Sequence, residues 1–339
     1  MKVLLLVASR ELPSTRLRLR EPSRIWEREG VECRFLNIPS GALGRWRVLR
    51  HVRDCDVVIL QKKTSLRGWD LSQISRANPR IVFDFDDAVM FHEVEHGKVL
   101  SGKYFPRFLR TIGHARSVVA GNEFLARFAR DAGCDVTVLP TPVDPNRYRR
   151  DSPPEAGGES PVIGWLGVSQ NLKYLEPLKG VFRDLHARFP GLRIKIVSDR
   201  FPVDLGVPTE RKLWKLSEEP GDIASFTVGI MPLPDTLWAW GKCGYKLLQY
   251  LASGVPVVAS PIGLNLDIVQ EGRNGYFAST PGEWAEKLSL LLSRSSLASE
   301  MGKRGQEDVE RRYSLGAYAA AYLDVLAGTR APAGRPAPR

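Results

Sequence analysis

The segment Val228–Pro261, VGIMPLPDTLWAWGKCGYKLLQYLASGVPVVASP, limits the fold more than any other. Val228–Met231 is an apolar run stopped by Pro232, and Val255–Ala259 is a second such run. Runs this short and this apolar fit strands buried on both faces. Between them Lys242–Ser253 carries a helical pattern, and Gly254 stands where a left-handed residue closes a helix. A buried strand, a helix and another buried strand imply a parallel sheet covered by helices.

The same alternation runs through most of the chain. Strands are expected at Lys2–Ala8, Val31–Ile38, Asp56–Leu60, Ile81–Phe85, Ser117–Ala120 and Val136–Leu139. Pro22 opens a helix that ends at Gly30, Trp46–Val52 reads as helical, and Asn122 caps a helix closed by Gly133. Asp151–Pro161, DSPPEAGGESP, has no apolar period and many breakers, so it reads as a linker. The alternation then restarts with strands at Val162–Leu166 and Leu192–Val197 and a helix at Leu175–Phe189. Asn265 is placed to cap a short helix ending at Gly272. Further helices are expected at Pro281–Leu292, Leu297–Arg312 and Leu315–Leu326, and a Pro/Ala/Gly-rich tail beyond Gly328 is expected to be disordered. With 339 residues, two domains are expected. The divisions are 1–150, a linker at 151–161, 162–315, a last helix at 316–327 and a tail at 328–339. The fold class is α/β, with two Rossmann-like doubly wound domains facing a central cleft.

Charge separates the halves. Residues 1–150 hold 27 Lys and Arg against 17 Asp and Glu, a net +10, whereas the whole chain is +11. A basic half suits an anionic membrane surface or a phosphorylated acceptor. No nucleic-acid motif accompanies it. The four cysteines form no C-x-x-C pair, which argues against a zinc site or a disulfide framework and fits a reducing cytoplasm. Val3–Ala8 is too short for a signal-peptide core, and no run approaches the roughly 20 apolar residues of a membrane helix.

In open parallel sheets ligands bind beyond the carboxyl ends of the strands, so candidate residues are sought there. Lys242, Lys246 and Gln249 fall on one helical stripe. Two lysines in a first helical turn oppose the helix dipole unless an anion such as a diphosphate binds there. Gln249 would then reach a sugar hydroxyl; a solvated polar face is the other reading. After Val162–Leu166 come Gly167, Ser169, Asn171 and Lys173, suited to close backbone approach and phosphate contact, or to a plain turn. No P-loop or G-x-G-x-x-G exists. Phe83–Asp87, FDFDD, clusters Asp84, Asp86 and Asp87: a hard-cation site, a base or hydroxyl-orienting carboxylate, or caps paired with arginines. His92, His96 and His114 have no metal-ligand spacing. Arg16 and Arg18 follow the first strand and suit bidentate phosphate contacts, or a solvated basic face. Trp238 and Trp240 are placed to stack on a base or sugar, or to plug a groove.

Gly164–Gly167 with Asn171 and Lys173, Gly229–Leu233, Gly241–Lys246, Gly254–Ser260, Gly263 and Gly272–Gly275 resemble the C-terminal domain of retaining glycosyltransferases of family four, which have the GT-B fold. The resemblance covers Val162–Arg312 well. The first half is similar more loosely, at the opening strand, Pro13–Arg18, Asp84–Ala88 and Pro140–Asp144. It implies transfer of a sugar from a nucleotide diphosphate-sugar to a glycan or lipid-linked acceptor with retention. Lys173 and Lys246 would stabilise the leaving diphosphate without a metal or other cofactor, and the acceptor would lie against the basic N-terminal domain. A cytoplasmic protein, peripheral on the inner face of the cell membrane, is the implied location. The chain departs from the family in three places. Gly241 and Gln249 stand where the family has glutamates eight positions apart, Pro13–Arg16 replaces a Gly-Gly loop, and Asp86 stands where relatives often have histidine. A sugar-nucleotide epimerase on the same scaffold and a non-catalytic nucleotide-binding relative are the alternatives.

Overall fold

A computed structural model describes residues 1–38, 42–93, 99–149 and 160–329. The expected linker, apart from its last two residues, and almost all of the expected tail lie outside the described residues. The chain divides into two compact units. Unit one comprises Met1–Pro142, Thr236–Cys243 and the chain from Leu315; unit two comprises Val143–Asp235 and Gly244–Ser314.

Unit one is built on six parallel strands: β1 (Lys2–Val7), β2 (Glu32–Asn37), β3 (Val57–Gln61), β4 (Ile81–Phe85), β7 (Ser117–Ala120) and β8 (Val136–Val138). Their order is β2-β1-β3-β4-β7-β8. A small antiparallel pair, β5 (His92–Glu93) and β6 (Val99–Leu100), lies outside the sheet. β3, β4 and β7 are buried throughout, which is why they read as unbroken apolar runs. β2 lies at an edge and alternates between exposed and half-buried residues. The helix Leu315–Thr329 completes the unit by packing on Glu21–Arg28. Trp26 Nε1 donates to Ala319 O at 3.0 Å, and the Trp26 and Tyr322 rings lie 5.1 Å apart in the core.

Unit two repeats the plan with β9 (Val162–Leu166), β10 (Arg193–Ser198), β11 (Thr209–Leu213), β12 (Val228–Met231), β13 (Val257–Ala259) and β14 (Gly275–Phe277), in the parallel order β11-β10-β9-β12-β13-β14. The strand order reverses between β1 and β3 in unit one and between β9 and β12 in unit two. The loops leaving those strands therefore diverge and open a crevice at the carboxyl edge of each sheet.

Several helix expectations hold. Asn122 accepts from Leu125 N at 2.8 Å as the cap of Glu123–Asp131. Thr280 and Glu283 form a reciprocal capping box for Pro281–Ser293. Other helices begin elsewhere than expected. The segment after the first strand is helical from Pro13, with a wide five-residue turn at Arg16–Arg20. Ser169–Leu178 is a 3-10 helix, and the α-helix starts only at Lys179, because Pro177 lacks the N–H an α-helix would use. Asn265 does not cap; it is the first helical residue of Asn265–Ile268, and its Nδ2 donates back to Ser260 O at 3.0 Å.

The expected helix Lys242–Ser253 is shorter, running Tyr245–Ala252. Gly244 precedes it with φ +59°, a left-handed turn that breaks the helical path before it can reach Lys242. Lys242 therefore shares no helical stripe with Lys246 and Gln249, and it belongs to unit one while they belong to unit two.

Candidate active site

In unit two the candidate residues gather at the loop after β9. Gly167 donates its N–H to Val197 O at 3.0 Å. A Cβ there would come within 2.9 Å of Lys246 Nζ and of the Trp165 ring, so only glycine leaves the passage open. Lys246, in the first turn of Tyr245–Ala252, places its ammonium 4.1 Å from the centre of the buried Trp165 ring. The indole face attracts the cation and fixes its position, a contact worth about 0.5–2 kcal/mol. β9 and β12 are the strands at the reversal of sheet order. An ammonium is thus held over the switch point of the sheet, beside a turn with no side chain in the way.

Ser169 is committed elsewhere. Its N–H and its hydroxyl both donate to the Asp199 carboxylate, at 2.7 and 3.0 Å. Those bonds, the backbone one foremost, hold the Asp199 carboxyl below its ordinary pKa. Asn171 is half-buried and donates its backbone N–H to Val168 O at 3.0 Å. Lys173 is exposed, with its ammonium 5.4 Å from the Tyr174 ring centre.

Gln249 is 2% exposed and lies inside a polar network. Its Nε2 donates to Tyr148 Oη at 2.9 Å, and Tyr148 in turn donates to Glu219 Oε1 at 2.6 Å. Trp214 Nε1 and Arg147 also donate to Glu219, at 2.6 and 3.2 Å. Burial, followed by the neighbouring Glu219 charge, raises the Tyr148 pKa, so the phenol keeps the proton it donates. Since that proton goes to Glu219, residue 249 must be a donor. This gives a physical reason for glutamine at a position where the resemblance in the sequence implied glutamate. Gln249→Glu is expected to lose about 2 kcal/mol of stability at neutral pH, because an acceptor would face an acceptor in a buried site. The introduced carboxylate would have its pKa raised above the usual value of about 4.3. The deficit relative to wild type should therefore grow as pH rises through that raised pKa and shrink toward acid, where the protonated form can donate. Chemical denaturation of both proteins across pH 4–8 checks this.

In unit one Arg18 is fully buried. Its guanidinium grips Asp84 in a two-pronged ion pair at 2.9 and 2.7 Å and donates to Leu139 O at 2.8 Å and Thr141 Oγ1 at 3.3 Å. Burial opposes its charge, but Asp84 outweighs burial and keeps the Arg18 pKa high. Arg18 therefore cannot serve as the phosphate-facing cation expected of it: it has no exposed surface to offer. Arg16 stays closer to the surface, paired with Glu21 at 2.8 Å.

The aspartates do not converge. Asp84 faces inward to Arg18 and Tyr322, whereas Asp86 and Asp87 face Lys62. Among the described residues no three carboxylate, histidine or cysteine groups gather as a metal site requires. Lys62 Nζ lies 3.1 Å from Asp86 Oδ1, in ion-pair contact without hydrogen-bond alignment, and hydrogen-bonds Asp87 Oδ2. Burial works against the Lys62 charge, but the two carboxylates outweigh it and raise its pKa. Lys62 is also the one non-glycine residue with positive φ among those described, at +54°. Its N–H donates to Asp84 O at 2.8 Å, which ties the strained turn after β3 to the end of β4. Left-handed backbone costs a side-chain-bearing residue roughly 1–2 kcal/mol, offset here by the paired charges.

Thr236–Cys243 lies against these residues within unit one. Asn122 Nδ2 donates to Trp240 O at 3.1 Å and Lys242 O at 3.2 Å, and a Cβ on Gly241 would press on Ala88 at 2.6 Å. Burial raises the Cys243 pKa, so the thiol keeps its proton and donates to Asp86 O at 3.0 Å. Lys242 places its ammonium 5.3 Å from the Trp238 ring centre, and Trp240 packs on Phe124.

Sequence reasoning missed Lys62, Trp165, Tyr148 and Glu219. Lys62 had a signal, since QKK directly follows the apolar run Val57–Leu60. Tyr148 and Glu219 had none: their mutual contact spans 71 positions, and the Tyr148–Gln249 contact spans 101.

Residues 213–294 match the family Glycosyl transferases group 1. D-inositol 3-phosphate glycosyltransferase 2 of Catenulispora acidiphila is 28% identical over 232 residues, covering 60% of this chain and 53% of that protein. The matches to curated relatives span about half of those proteins' length or less. Among solved structures, Anabaena Alr3699/HepE in complex with UDP and glucose has a TM-score of 0.71 at 16% identity, covering 97% of this chain and 100% of that one. Sucrose-phosphate synthase of Thermosynechococcus elongatus has a TM-score of 0.73 at 12% identity, covering 97% and 98%. The fold is GT-B, that of a large class of glycosyltransferases. Within that fold, the match of residues 213–294 to glycosyl transferases group 1 agrees with the resemblance in the sequence.

Proposed function

We propose that the protein transfers a sugar from a nucleotide diphosphate-sugar to a glycan or lipid-linked acceptor, with retention at the anomeric carbon. The observation that carries this reading is the Lys246 ammonium, held on Trp165 beside the open turn at Gly167. Such a cation stabilises the negative charge that grows on a departing diphosphate, which is electrostatic catalysis. Lys173 is the second cation on the donor side, with Ser169, Asn171 and the Gly167 backbone as neighbouring polar groups. The reading requires no metal, because ammonium groups neutralise the leaving group. Unit one supplies the acceptor side: Asp86 and Asp87, held by Lys62, orient the attacking hydroxyl, and Arg16 and Lys242 remain as cations for an acidic acceptor. No helix among the described residues is long and apolar enough to cross a membrane. A cytoplasmic protein working at the inner membrane face is the setting we propose.

Thermal unfolding with UDP, GDP, ADP and dTDP, each with and without Mg²⁺, tests the donor site. A diphosphate at about 100 times its Kd should add about 2.7 kcal/mol of stability. The Anabaena neighbour was solved in complex with UDP, so UDP is the first probe. Stabilisation by one nucleotide without metal supports the reading, and none with any nucleotide refutes it. Retention is tested by NMR of the product's anomeric configuration; an inverted product overturns it. Conversion of the donor sugar with no acceptor present would make the protein an epimerase instead.

A further inference from the structure

Two helices of unit one, Ala42–Arg53 and Gly68–Ala77, pack side by side. They leave an apolar groove lined by Leu6, Ile38, Val48, Leu66, Trp69 and Ile74 among others. Its cavity volume is about 30 Å³. That is close to one water's share of the liquid, about 30 Å³, and too small for a ligand. The unusual feature is its rim. Trp69 is 62% exposed and Trp46, on the neighbouring helix, is 66% exposed, the two most exposed large apolar side chains among the described residues.

The charge around these indoles is mostly positive. The sequence of Ala42–Arg53 has Arg45, Arg47, Arg50 and Arg53 and no acidic residue. Arg67 directly precedes the second helix, and Tyr104–Ile112, packed against that helix, adds Arg107 and Arg110. Arg110 donates to Leu66 O, on the groove itself, at 3.4 Å. Asp70 is the one acidic residue among those lining the groove.

We infer that this face docks on an anionic phospholipid bilayer, with Trp46 and Trp69 at the headgroup level and the arginines against lipid phosphates. Indoles partition to the bilayer interface, where the ring is in an apolar layer and its N–H stays wet. Each basic residue near an anionic surface strengthens binding about fivefold. A nucleic-acid duplex would satisfy the arginines but offers two projecting indoles no apolar layer to enter. The inference gives the acceptor-side unit a place of attachment. None of its residues belongs to the groups assigned to transfer, so it stands or falls separately from the transferase reading.

The test is flotation of the full chain with vesicles of phosphatidylcholine alone or mixed with phosphatidylglycerol, at low and high salt. The mixed vesicles should be bound, more weakly in high salt, with part of the indole fluorescence quenched by acyl-brominated lipid. Trp46→Ser with Trp69→Ser should remove that quenching and weaken binding about tenfold. Arg47→Glu with Arg50→Glu should weaken it about 25-fold or more. All four side chains are exposed, so thermal unfolding and the response to UDP should match wild type. Absence of binding, equal binding to neutral vesicles, or binding that both double variants retain would overturn the inference. So would two outcomes in which vesicles are not bound: a dimer lost with the tryptophans, which would make this a self-association surface, or retention of duplex nucleic acid, which would make it a nucleic-acid surface. If wild type binds mixed vesicles but answers to no nucleotide, the transferase reading falls and this one remains.

Discussion

Lys246→Ala is expected to lower kcat by about a hundredfold or more while leaving the fold intact. Lys246 sits in the first turn of Tyr245–Ala252 over the Trp165 ring, beside the turn at Gly167. If its ammonium meets charge that develops only as the diphosphate departs, its loss falls on the transition state. Removing one such stabiliser costs roughly 2.7–4 kcal/mol of barrier, or 10²–10³ in rate. The ground-state complex loses less, so KM should move little compared with kcat. Lys246→Arg separates charge from placement: a planar guanidinium on the same indole keeps the charge but cannot reproduce a compact ammonium beside Gly167. Steady-state kinetics on the donor identified by thermal unfolding would decide the matter. Unchanged turnover in Lys246→Ala would remove Lys246 from the mechanism.

Arg18→Met is expected to cost about 3–5 kcal/mol of stability, the price of stranding a buried charge without its partner. Asp84 is fully buried, and without Arg18 it would keep the hydrogen bond from the Tyr322 hydroxyl at 3.3 Å but no opposite charge bonded to it. Domains are typically stable by only 5–15 kcal/mol, so unit one would be near its limit. The double change Arg18→Met with Asp84→Leu should recover much of the loss, since replacing both members of a buried ion pair by apolar groups is often neutral. Urea denaturation of the three proteins tests this. A single variant as stable as wild type would mean that water reaches Asp84.

Both expectations rest on a fold that was largely legible. The strands at Ile81–Phe85, Ser117–Ala120, Val162–Leu166 and Val228–Met231 lie where their apolar runs placed them, because strands buried on both faces leave an unbroken signal. β11 and β14 escaped because they lie at the edges of their sheet. One reads TERKL and the other is three residues long, so neither carries a period. The site was legible where function follows a strand end, as at Gly167 and Asp86, and illegible where a partner far along the chain decides. RLRLR at Arg16–Arg20 looks like a solvated basic face, yet Asp84, 66 positions on, draws its middle arginine into the core. The helical spacing of Lys242 and Lys246 was real in number and void in space, because Gly244 turns left between them.

The route of the chain through its two units bears on how the protein is made. A ribosome delivers the N-terminal sheet first, and folding ordinarily proceeds from that end during synthesis. Here Trp26 must wait for Ala319 and Tyr322, and Asn122 for Trp240 and Lys242. Unit two, whose described residues all lie between Val143 and Ser314, can close while the earlier half is still without its last helix. Until that helix emerges, the nascent first half presents an open apolar flank at Trp26, and this interval is when it most needs a chaperone's cover.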